Sequence, residues 1–198
     1  GLIVFGAGGV KILRNTLDRS ADETPAVLSE QGAELAELRA VSAVAPIDFD
    51  HDGDLDLAIA SSKGISLWLN RGADVAFDEV SEFSDLPEAS GPVRSLRPVD
   101  WDRDVDLDVV VGGGADGAPL GYLENLRHGQ FRWQPLTAGA AESLGEAAQL
   151  ALLDADGNVS WDLVGGGSVG LRLARTETLD AHDVRFLDPL SVDAAAIE

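Results

Sequence analysis

The stretch Asp48-Phe49-Asp50-His51-Asp52-Gly53-Asp54-Leu55-Asp56 decides the fold, and the apolar run Leu57-Ala58-Ile59-Ala60 follows it directly. Five aspartates occupy alternate positions within these nine residues. Their carboxylates repel one another unless a cation collects them. Calcium takes about six to eight oxygen ligands from flexible loops of this kind. The stretch therefore predicts a calcium-binding loop, and the alternative is a solvated acidic turn held by Asx hydrogen bonds.

The nine positions of this loop, called loop 1 below, differ in the ligand that each offers. Side-chain oxygens are expected at positions 1, 3, 5 and 9, and a main-chain carbonyl at position 7. These ligands are Asp48, Asp50, Asp52 and Asp56, and the carbonyl of Asp54. Gly53 at position 6 permits the positive φ of a sharp turn. The loop is not an EF-hand, because position 12 is Ile59 rather than a glutamate and the flanking run is strand-like.

The acidic loop recurs twice along the chain. Loop 2 is Asp100-Trp101-Asp102-Arg103-Asp104-Val105-Asp106-Leu107-Asp108, and loop 3 is Asp154-Ala155-Asp156-Gly157-Asn158-Val159-Ser160-Trp161-Asp162. The first positions of the three loops, 48, 100 and 154, lie 52 and 54 residues apart. This regular spacing indicates an internal repeat.

Each loop is followed by an apolar run, a glycine-rich turn and an alternating segment. The turn Ser61-Ser62-Lys63-Gly64 leads to Ile65, Leu67 and Leu69, and Gly165-Gly166-Gly167 is expected to be the corresponding turn after loop 3. Alternation with period 2 after a turn predicts a β-hairpin. Residues 77–80 and 131–136 are expected to form outer strands. The chain is therefore expected to be all-β, with about four short strands in each repeat unit.

The segment from Thr24 to Val41 is harder to interpret. Leu28, Leu35 and Leu38 have a spacing that an amphipathic helix would also show. We favour a strand, a loop and a second strand, because the neighbouring repeats place non-helical sequence there.

Repeats of this length and strand content predict a β-propeller, in which every blade buries its faces against its neighbours. We place the units at about 1–47, 48–99, 100–153 and 154–198. Residues 2–15 repeat the strand, turn and strand order, and residues 195–198 match the approach to loop 1 at 45–48. We expect the chain to be part of a longer propeller, and a small closed ring of four units is the alternative.

The repeat unit has a fixed order of parts: a hydrophobic residue, the motif Asp-x-Asp-x-Asp-Gly-x-x-Asp, an apolar strand, a glycine turn and an alternating strand that ends in Asn70 or Asn125. This order resembles the FG-GAP/VCBS repeat of integrin α-subunit propellers. It is also similar to bacterial repeat proteins that carry an ASPIC/UnbV segment. The name-giving pieces are present in part, as Phe5-Gly6 and Gly117-Ala118-Pro119. The resemblance implies a calcium-bearing propeller of about seven blades, extracellular or periplasmic, that serves in adhesion or ligand binding or is appended to an enzyme.

The resemblance extends the ligand roles to loops 2 and 3. In loop 2 they fall on Asp100, Asp102, Asp104, the carbonyl of Asp106, and Asp108; in loop 3 they fall on Asp154, Asp156, Asn158, the carbonyl of Ser160, and Asp162. Two departures weaken the match, because Val105 at position 6 is β-branched and resists positive φ, and the glycine of loop 3 stands at position 4. We expect about two to three calcium ions, with loop 1 the firmest site.

The composition limits the partners. The chain has 35 acidic and 14 basic residues, and its net charge of −21 repels nucleic acid backbones and anionic lipid headgroups. No apolar run approaches the length needed to span a membrane, so membrane insertion is not expected. Cysteine is absent, which excludes disulfides and thiolate chemistry.

The chain is not expected to be an enzyme. His51, His128 and His182 are scattered, which disfavours a Ser-His-Asp triad or a zinc site. The clustered carboxylates are committed to the cation, and the glycine clusters lack the Lys-Ser/Thr of a phosphate-binding loop. Trp101 and Trp161 are expected to pack between blades, and stacking on a sugar is the alternative.

We therefore expect a calcium-binding propeller module for extracellular protein or glycan binding, in which calcium is structural and the rest of the parent propeller is a partner. The alternative is a non-catalytic propeller segment of a larger secreted enzyme of the polysaccharide lyase or phospholipase type. A third possibility is an array that is purely structural.

Overall fold

A computed structural model describes residues 1–15, 28–72, 76–88, 91–113, 118–144, 149–167, 170–180 and 183–187 of the 198-residue chain. These residues form antiparallel sheets, with one short α-helix and two 3₁₀ helices among them. The prediction of a chain built from short antiparallel strands is confirmed.

Four sheets follow one another, and the strand order in each sheet is the order along the chain. Sheet 1 contains β1 (Leu2–Gly6), β2 (Gly9–Asn15) and β3 (Leu28–Gln31). Sheet 2 contains β4 (Ala43–Ile47), β5 (Asp56–Ser61), β6 (Gly64–Asn70) and β7 (Phe77–Glu79). Sheet 3 contains β8 (Ser95–Val99), β9 (Asp108–Gly112), β10 (Gly121–Asn125) and β11 (Phe131–Pro135). Sheet 4 contains β12 (Gln149–Leu153), β13 (Asp162–Gly167) and β14 (Gly170–Ala174), and the hairpin β15 (Thr176–Asp180) and β16 (Asp183–Phe186) follows it.

The predicted outer strands are confirmed as β7 and β11, and they complete four-stranded sheets in the second and third units. Sheets 1 and 4 have three strands among the described residues, so the expectation of four strands per unit holds for two sheets. After β6 and β10, turns that contain Gly72 and Gly129 send the chain back. Only Arg175 separates β14 from β15, so the chain has no room to turn back, and β15 pairs with β16 instead.

Two local predictions are wrong. Gly165, Gly166 and Gly167 were expected to form a turn, but they lie in β13, where they pair with β12, β14 or both. Glycine is disfavoured inside a strand, and here pairing with neighbouring strands overrides that preference. The α-helix α1 (Ala138–Leu144) was not predicted; it begins after Thr137, whose hydroxyl accepts the N–H of Ala140 in the manner of an N-cap.

The described part of the segment 24–41 contains β3 and a 3₁₀ helix at Ala33–Glu37, and residues 24–27 lie outside the described residues. The α-helix alternative is therefore wrong for residues 28–41. The favoured strand, loop and strand order is right for its first strand, while a 3₁₀ turn takes the place of the loop. Leu35 in this turn is fully buried, and Leu38 packs against the same core.

The sheets pack face to face in sequence order. One core lies between sheets 1 and 2 and includes Val10, Leu35, Ile59 and Trp68. A second lies between sheets 2 and 3 and includes Phe49, Leu67, Leu123 and Phe131. A third lies between sheets 3 and 4 and includes Trp101, Val110, Leu150 and Leu163. Sheets 2 and 3 are thus covered on both faces, which is why every residue of β9 is buried.

The first strands of neighbouring sheets lie side by side. Ser42, just before β4, donates its hydroxyl to the carbonyl of Val93, just before β8. Between β8 and β12, Arg97 Nε lies 2.8 Å from the carbonyl of Leu150, and the Leu150 N–H donates to Ser95 Oγ at 3.3 Å. These hydrogen bonds fix the order in which the sheets stack.

The three acidic loops occupy the same place in their sheets. Each loop connects the first strand to the second: loop 1 joins β4 to β5, loop 2 joins β8 to β9, and loop 3 joins β12 to β13. Because the first strands lie next to one another, the loops emerge at the same edge of the stacked sheets. The repeat therefore gathers the acidic residues at one end of the fold.

We expect Phe49→Ala to lower the free energy of unfolding by about 3–5 kcal/mol, because it leaves a cavity between sheets 2 and 3. The Phe49 ring is fully buried and contacts the Phe131 ring edge-on at 5.5 Å. Urea denaturation in excess EGTA measures the loss. The matched control is Phe83→Ala, whose ring is 61% exposed and which should change the stability by less than about 0.5 kcal/mol. Equal effects of the two substitutions would contradict the assignment of the core.

Candidate metal centres in the acidic loops

Each loop brings three carboxylates together. Within each trio, one oxygen from every residue lies within 4.8 Å of the others, and such a group can hold a metal ion. The trios are Asp48, Asp50 and Asp56; Asp100, Asp102 and Asp104; and Asp154, Asp156 and Asp162. Nine of the fifteen residues proposed from the sequence therefore lie in clusters. Loops 1 and 3 use positions 1, 3 and 9, whereas loop 2 uses positions 1, 3 and 5.

The aspartate at position 9 has the same buried environment in all three loops. Asp56 accepts the N–H of Phe49 at 3.0 Å with one oxygen and the N–H of Asn70 at 2.8 Å with the other. Asp108 accepts from Trp101 and Asn125, and Asp162 accepts from Ala155 and Thr176. The position-9 carboxylate thus connects the start of the loop to a residue at the end of the third strand or just beyond it. The sequence pattern assigned this residue as a ligand but did not indicate its structural role.

Burial raises the pKa of two of these carboxyls. Desolvation raises the pKa of Asp56 to about 6 and that of Asp108 to about 7, although two backbone N–H donors oppose the shift in each case. Repulsion from neighbouring aspartates of the same loop contributes to both raised pKa values. A bound cation has the opposite effect, because it stabilises the ionised form.

The backbone of the three loops has a common shape that the sequence does not reveal. Positions 4 and 6 have positive φ in every loop: 61° and 93° at His51 and Gly53, 66° and 80° at Arg103 and Val105, and 77° and 71° at Gly157 and Val159. Val105 therefore adopts positive φ although β-branched residues disfavour it. The glycine of loop 3 has not moved out of place, because position 4 is left-handed as well.

Short hydrogen-bonded turns maintain this shape. The side chains at positions 3 and 5 accept the N–H two residues ahead, over distances of 2.8–3.3 Å, in all three loops. At position 1, Asp48 accepts from Asp52 and Gly53, and Asp154 accepts from Gly157 and Val159. A carboxylate oxygen that accepts one N–H keeps a second lone pair, so these bonds are compatible with metal ligation.

Loop 2 contains an unsatisfied buried oxygen. Asp100 Oδ1 is shielded from solvent and has no hydrogen-bond partner among the described residues, although Asp102 and Asp104 lie in the same cluster. Leaving a charged oxygen buried and unpaired is costly, and an ion is one of the few groups that relieves the cost. The donor set of loop 2 therefore fits a hard cation, despite the arginine at position 4.

Six of the proposed residues lie outside the trios. Asp52 and Asp54 are exposed, Asp106 is buried and paired with Arg127, and Asp108 makes the two backbone bonds described above. Asn158 donates to the carbonyl of Thr176, and Ser160 Oγ accepts the N–H of Thr178. The expected metal role of Asp54, Asp106 and Ser160 was through their carbonyls, and it stays a prediction.

The two tryptophans beside the loops differ. Trp101 is 1% exposed and packs near Tyr122 and Phe186, with ring centroids at 5.7 and 6.3 Å, in agreement with the expected core role. Trp161 is 39% exposed, so the expectation of core packing is wrong for this residue. The reason is positional: Trp101 is at position 2, which points into the next sheet, whereas Trp161 is at position 8.

The two histidines in the described part of the chain, His51 and His128, lie in separate places. His51 lies in loop 1 and His128 in the turn between β10 and β11, and neither bonds a serine hydroxyl within the part of the chain that the structure describes. His182 lies outside that part. The described helices include none that is long and apolar enough to cross a membrane.

Comparison with known families agrees with this geometry. The family model of the FG-GAP-like repeat matches residues 48–111, which run from the first residue of loop 1 to within β9 after loop 2. This part of the chain is an FG-GAP-like repeat region, and the resemblance inferred from the motif is confirmed there. No curated protein showed significant sequence similarity to the chain.

We expect position 6 to control loop stability through backbone strain. Gly53→Ala should lower the free energy of unfolding by about 1–2 kcal/mol, because a side chain at φ 93° is disfavoured while no atom lies within 4 Å of the added Cβ. The reverse change, Val105→Gly, should raise it by about 0.5–1 kcal/mol, since the added freedom of glycine in the unfolded chain offsets part of the relief.

Urea denaturation in excess EGTA measures both changes. Val105→Ala is the matched control, because it truncates the same side chain, which is 79% exposed, yet keeps a residue that disfavours positive φ. A gain for alanine as large as that for glycine would show that side-chain exposure, rather than φ, limits the stability of loop 2.

Proposed function

We propose that this chain is a calcium-binding β-propeller module in which the ions are structural. The observation that carries the proposal is the recurrence of one metal-competent loop at the same edge of three successive sheets, each with three carboxylates within 4.8 Å. Face-to-face stacking of successive sheets with adjacent first strands supports a propeller, which is the architecture that the FG-GAP-like repeat suggests. The proposed units remain about 1–47, 48–99, 100–153 and 154–198.

The donor set favours calcium over other cations. All the clustered ligands are carboxylate oxygens, which suit hard cations, and the clusters contain no nitrogen or sulfur ligand. Magnesium requires near-ideal octahedral geometry and loses its water reluctantly, so a flexible acidic loop suits calcium better. The unsatisfied oxygen of Asp100 supports occupancy of loop 2 in addition to loops 1 and 3.

The residues of each loop have a structural task. A bound cation neutralises the local negative charge, and Asp48, Asp50 and Asp56 would hold it in loop 1. Asp56 also accepts the two backbone N–H groups that close loop 1, so metal ligation and loop closure would share one side chain there. Metal binding is thereby coupled to folding of the strand that follows.

We infer that the module binds an extracellular or periplasmic protein or glycan and does not catalyse a reaction. The FG-GAP-like repeat, the strongly acidic surface and the separate histidines support this role. The exposed Trp161 beside loop 3 offers an aromatic face to such a ligand. A glycan or protein array tests for the ligand, and product release from acidic polysaccharides would instead favour a segment of a secreted lyase.

We expect calcium to raise the melting temperature selectively. For a Kd on the order of 10⁻⁴ M, about 10 mM calcium stabilises the folded chain by about 2.7 kcal/mol per site. Thermal unfolding in excess EGTA, then in equal concentrations of calcium or magnesium, measures the effect. A smaller rise is expected with magnesium. No rise with calcium, or equal rises with both ions, would contradict the proposed calcium sites.

We expect Asp50→Ala to lower the melting temperature strongly in calcium and little in EGTA. In the metal-free chain the Asp50 side chain accepts one weak hydrogen bond, from Asp52 at 3.3 Å, so little is lost without the ion. Removal of the ligand should forfeit most of the roughly 2.7 kcal/mol supplied by that site. Glu82→Ala, which removes one exposed negative charge outside the loops, is the control. Equal losses in both conditions would show that Asp50 acts without a metal.

A further inference from the structure

One buried side chain connects loop 1 to loop 2. Asn125, the last residue of β10, is 2% exposed. Its Nδ2 lies 3.1 Å from the carbonyl of Leu107 in loop 2 and 3.3 Å from the carbonyl of Phe49 in loop 1. Its main-chain N–H donates to Asp108 at 2.8 Å. The end of loop 2 and the beginning of loop 1 are therefore held by the same residue.

Further contacts reinforce this connection. His51 Nε2, at position 4 of loop 1, lies 3.5 Å from Asp106 Oδ1, at position 7 of loop 2. The Phe49 ring, at position 2 of loop 1, packs against Phe131 of sheet 3. Contacts with sheet 3 and its loop thus reach loop 1 at the residues before and after Asp50, one of the three clustered carboxylates.

The corresponding positions of the other two sheets lack the cross-loop bond. Asn70 donates from Nδ2 to the carbonyl of Leu55 in its own loop, at 3.1 Å. Thr176 donates from Oγ1 to the carbonyl of Trp161, also in its own loop, at 2.8 Å. All three residues share the main-chain bond to the position-9 aspartate. Within the described residues, a side chain at this position reaches a second acidic loop only at Asn125.

We propose that Asn125 is a positioning residue that couples cation binding at loop 1 to cation binding at loop 2. The inference rests on the proposed calcium function. A cation held by Asp100, Asp102 and Asp104 orders the Asp104 side chain, which accepts the N–H of Asp106 at 2.9 Å. The ordered chain continues to Leu107, whose carbonyl Asn125 contacts, and an ordered Asn125 holds Phe49 between two ligands of loop 1. Part of the entropy of ordering loop 1 is then lost before its cation arrives, so binding there is tighter. Linkage requires the effect to be reciprocal.

The test is a calcium titration followed by amide NMR, in which the Gly53 and Val105 resonances report on loops 1 and 2 separately. Loop 2 is disabled by Asp100→Asn with Asp104→Asn, and the calcium affinity of loop 1 is measured before and after. In the wild-type background, disabling loop 2 should weaken calcium binding at loop 1 by about threefold to tenfold, the range expected for loss of one net hydrogen bond.

The same comparison is made in an Asn125→Thr background. Threonine is the residue found at the corresponding position 176, where it keeps the bond to its own loop, so sheet 3 and loop 2 should remain folded. The cross-loop bond is lost, and disabling loop 2 should no longer weaken loop 1. This double-mutant cycle also removes the general effect of deleting two charges, because that effect is present in both backgrounds.

Asn70→Thr is the matched control, since it makes the same substitution at a site whose side chain donates to its own loop and accepts from Gly72, with no bond to a second acidic loop. The threefold to tenfold weakening should persist in this background. The proposal is overturned if the loop 1 affinity is independent of loop 2 in the wild type, if the dependence survives Asn125→Thr, or if Asn70→Thr abolishes it. The absence of saturable calcium shifts at both Gly53 and Val105 is a different outcome, which overturns the proposed calcium function and the coupling with it.

Discussion

The structure depends on a buried carboxylate at the first residue of the second strand in sheets 2, 3 and 4. Each of Asp56, Asp108 and Asp162 accepts two backbone N–H groups, one from the start of its loop and one from a residue at or just beyond the end of the third strand. These bonds close a nine-residue loop across the end of three strands. Burial of an anion is expensive, and the two donors offset the cost only in part. The desolvation cost that the donors do not offset raises the pKa values of Asp56 and Asp108.

The same carboxylate links the local loop to the architecture. Because it belongs to the second strand, and the first strands of successive sheets lie side by side, the loops necessarily meet at one edge of the stack. Neighbouring acidic loops are then close enough to contact each other, as His51 Nε2 of loop 1 and Asp106 Oδ1 of loop 2 do at 3.5 Å. The carboxylates of the three loops therefore repel one another within each loop and are concentrated at this edge.

Prediction from the sequence succeeded where a local pattern carries a physical requirement. The loops, the strands after them and the outer strands β7 and β11 follow from alternation and turn residues, and the FG-GAP-like repeat region from the spacing of the aspartates. Prediction failed where pairing decided the outcome. The sequence predicts a turn at Gly165 and Gly166, but both residues lie in β13, where they pair with β12 and β14. The exposure of Trp161 likewise depends on which side of the loop faces the next sheet.

The sequence by itself determined that three acidic loops recur with a period near 50 residues and that each precedes a buried strand, because charge repulsion and period-2 hydrophobicity are readable without coordinates. Only the tertiary structure decided which oxygens converge. In loop 2 the cluster contains the aspartate at position 5, whereas loops 1 and 3 use the aspartate at position 9. Val105 and Val159 have positive φ, although β-branched residues disfavour it. Contacts between sheets also placed the Asn125 side chain 3.3 Å from the Phe49 carbonyl in loop 1. Such features arise from contacts between residues that are distant in sequence, and a local sequence pattern does not reveal those contacts.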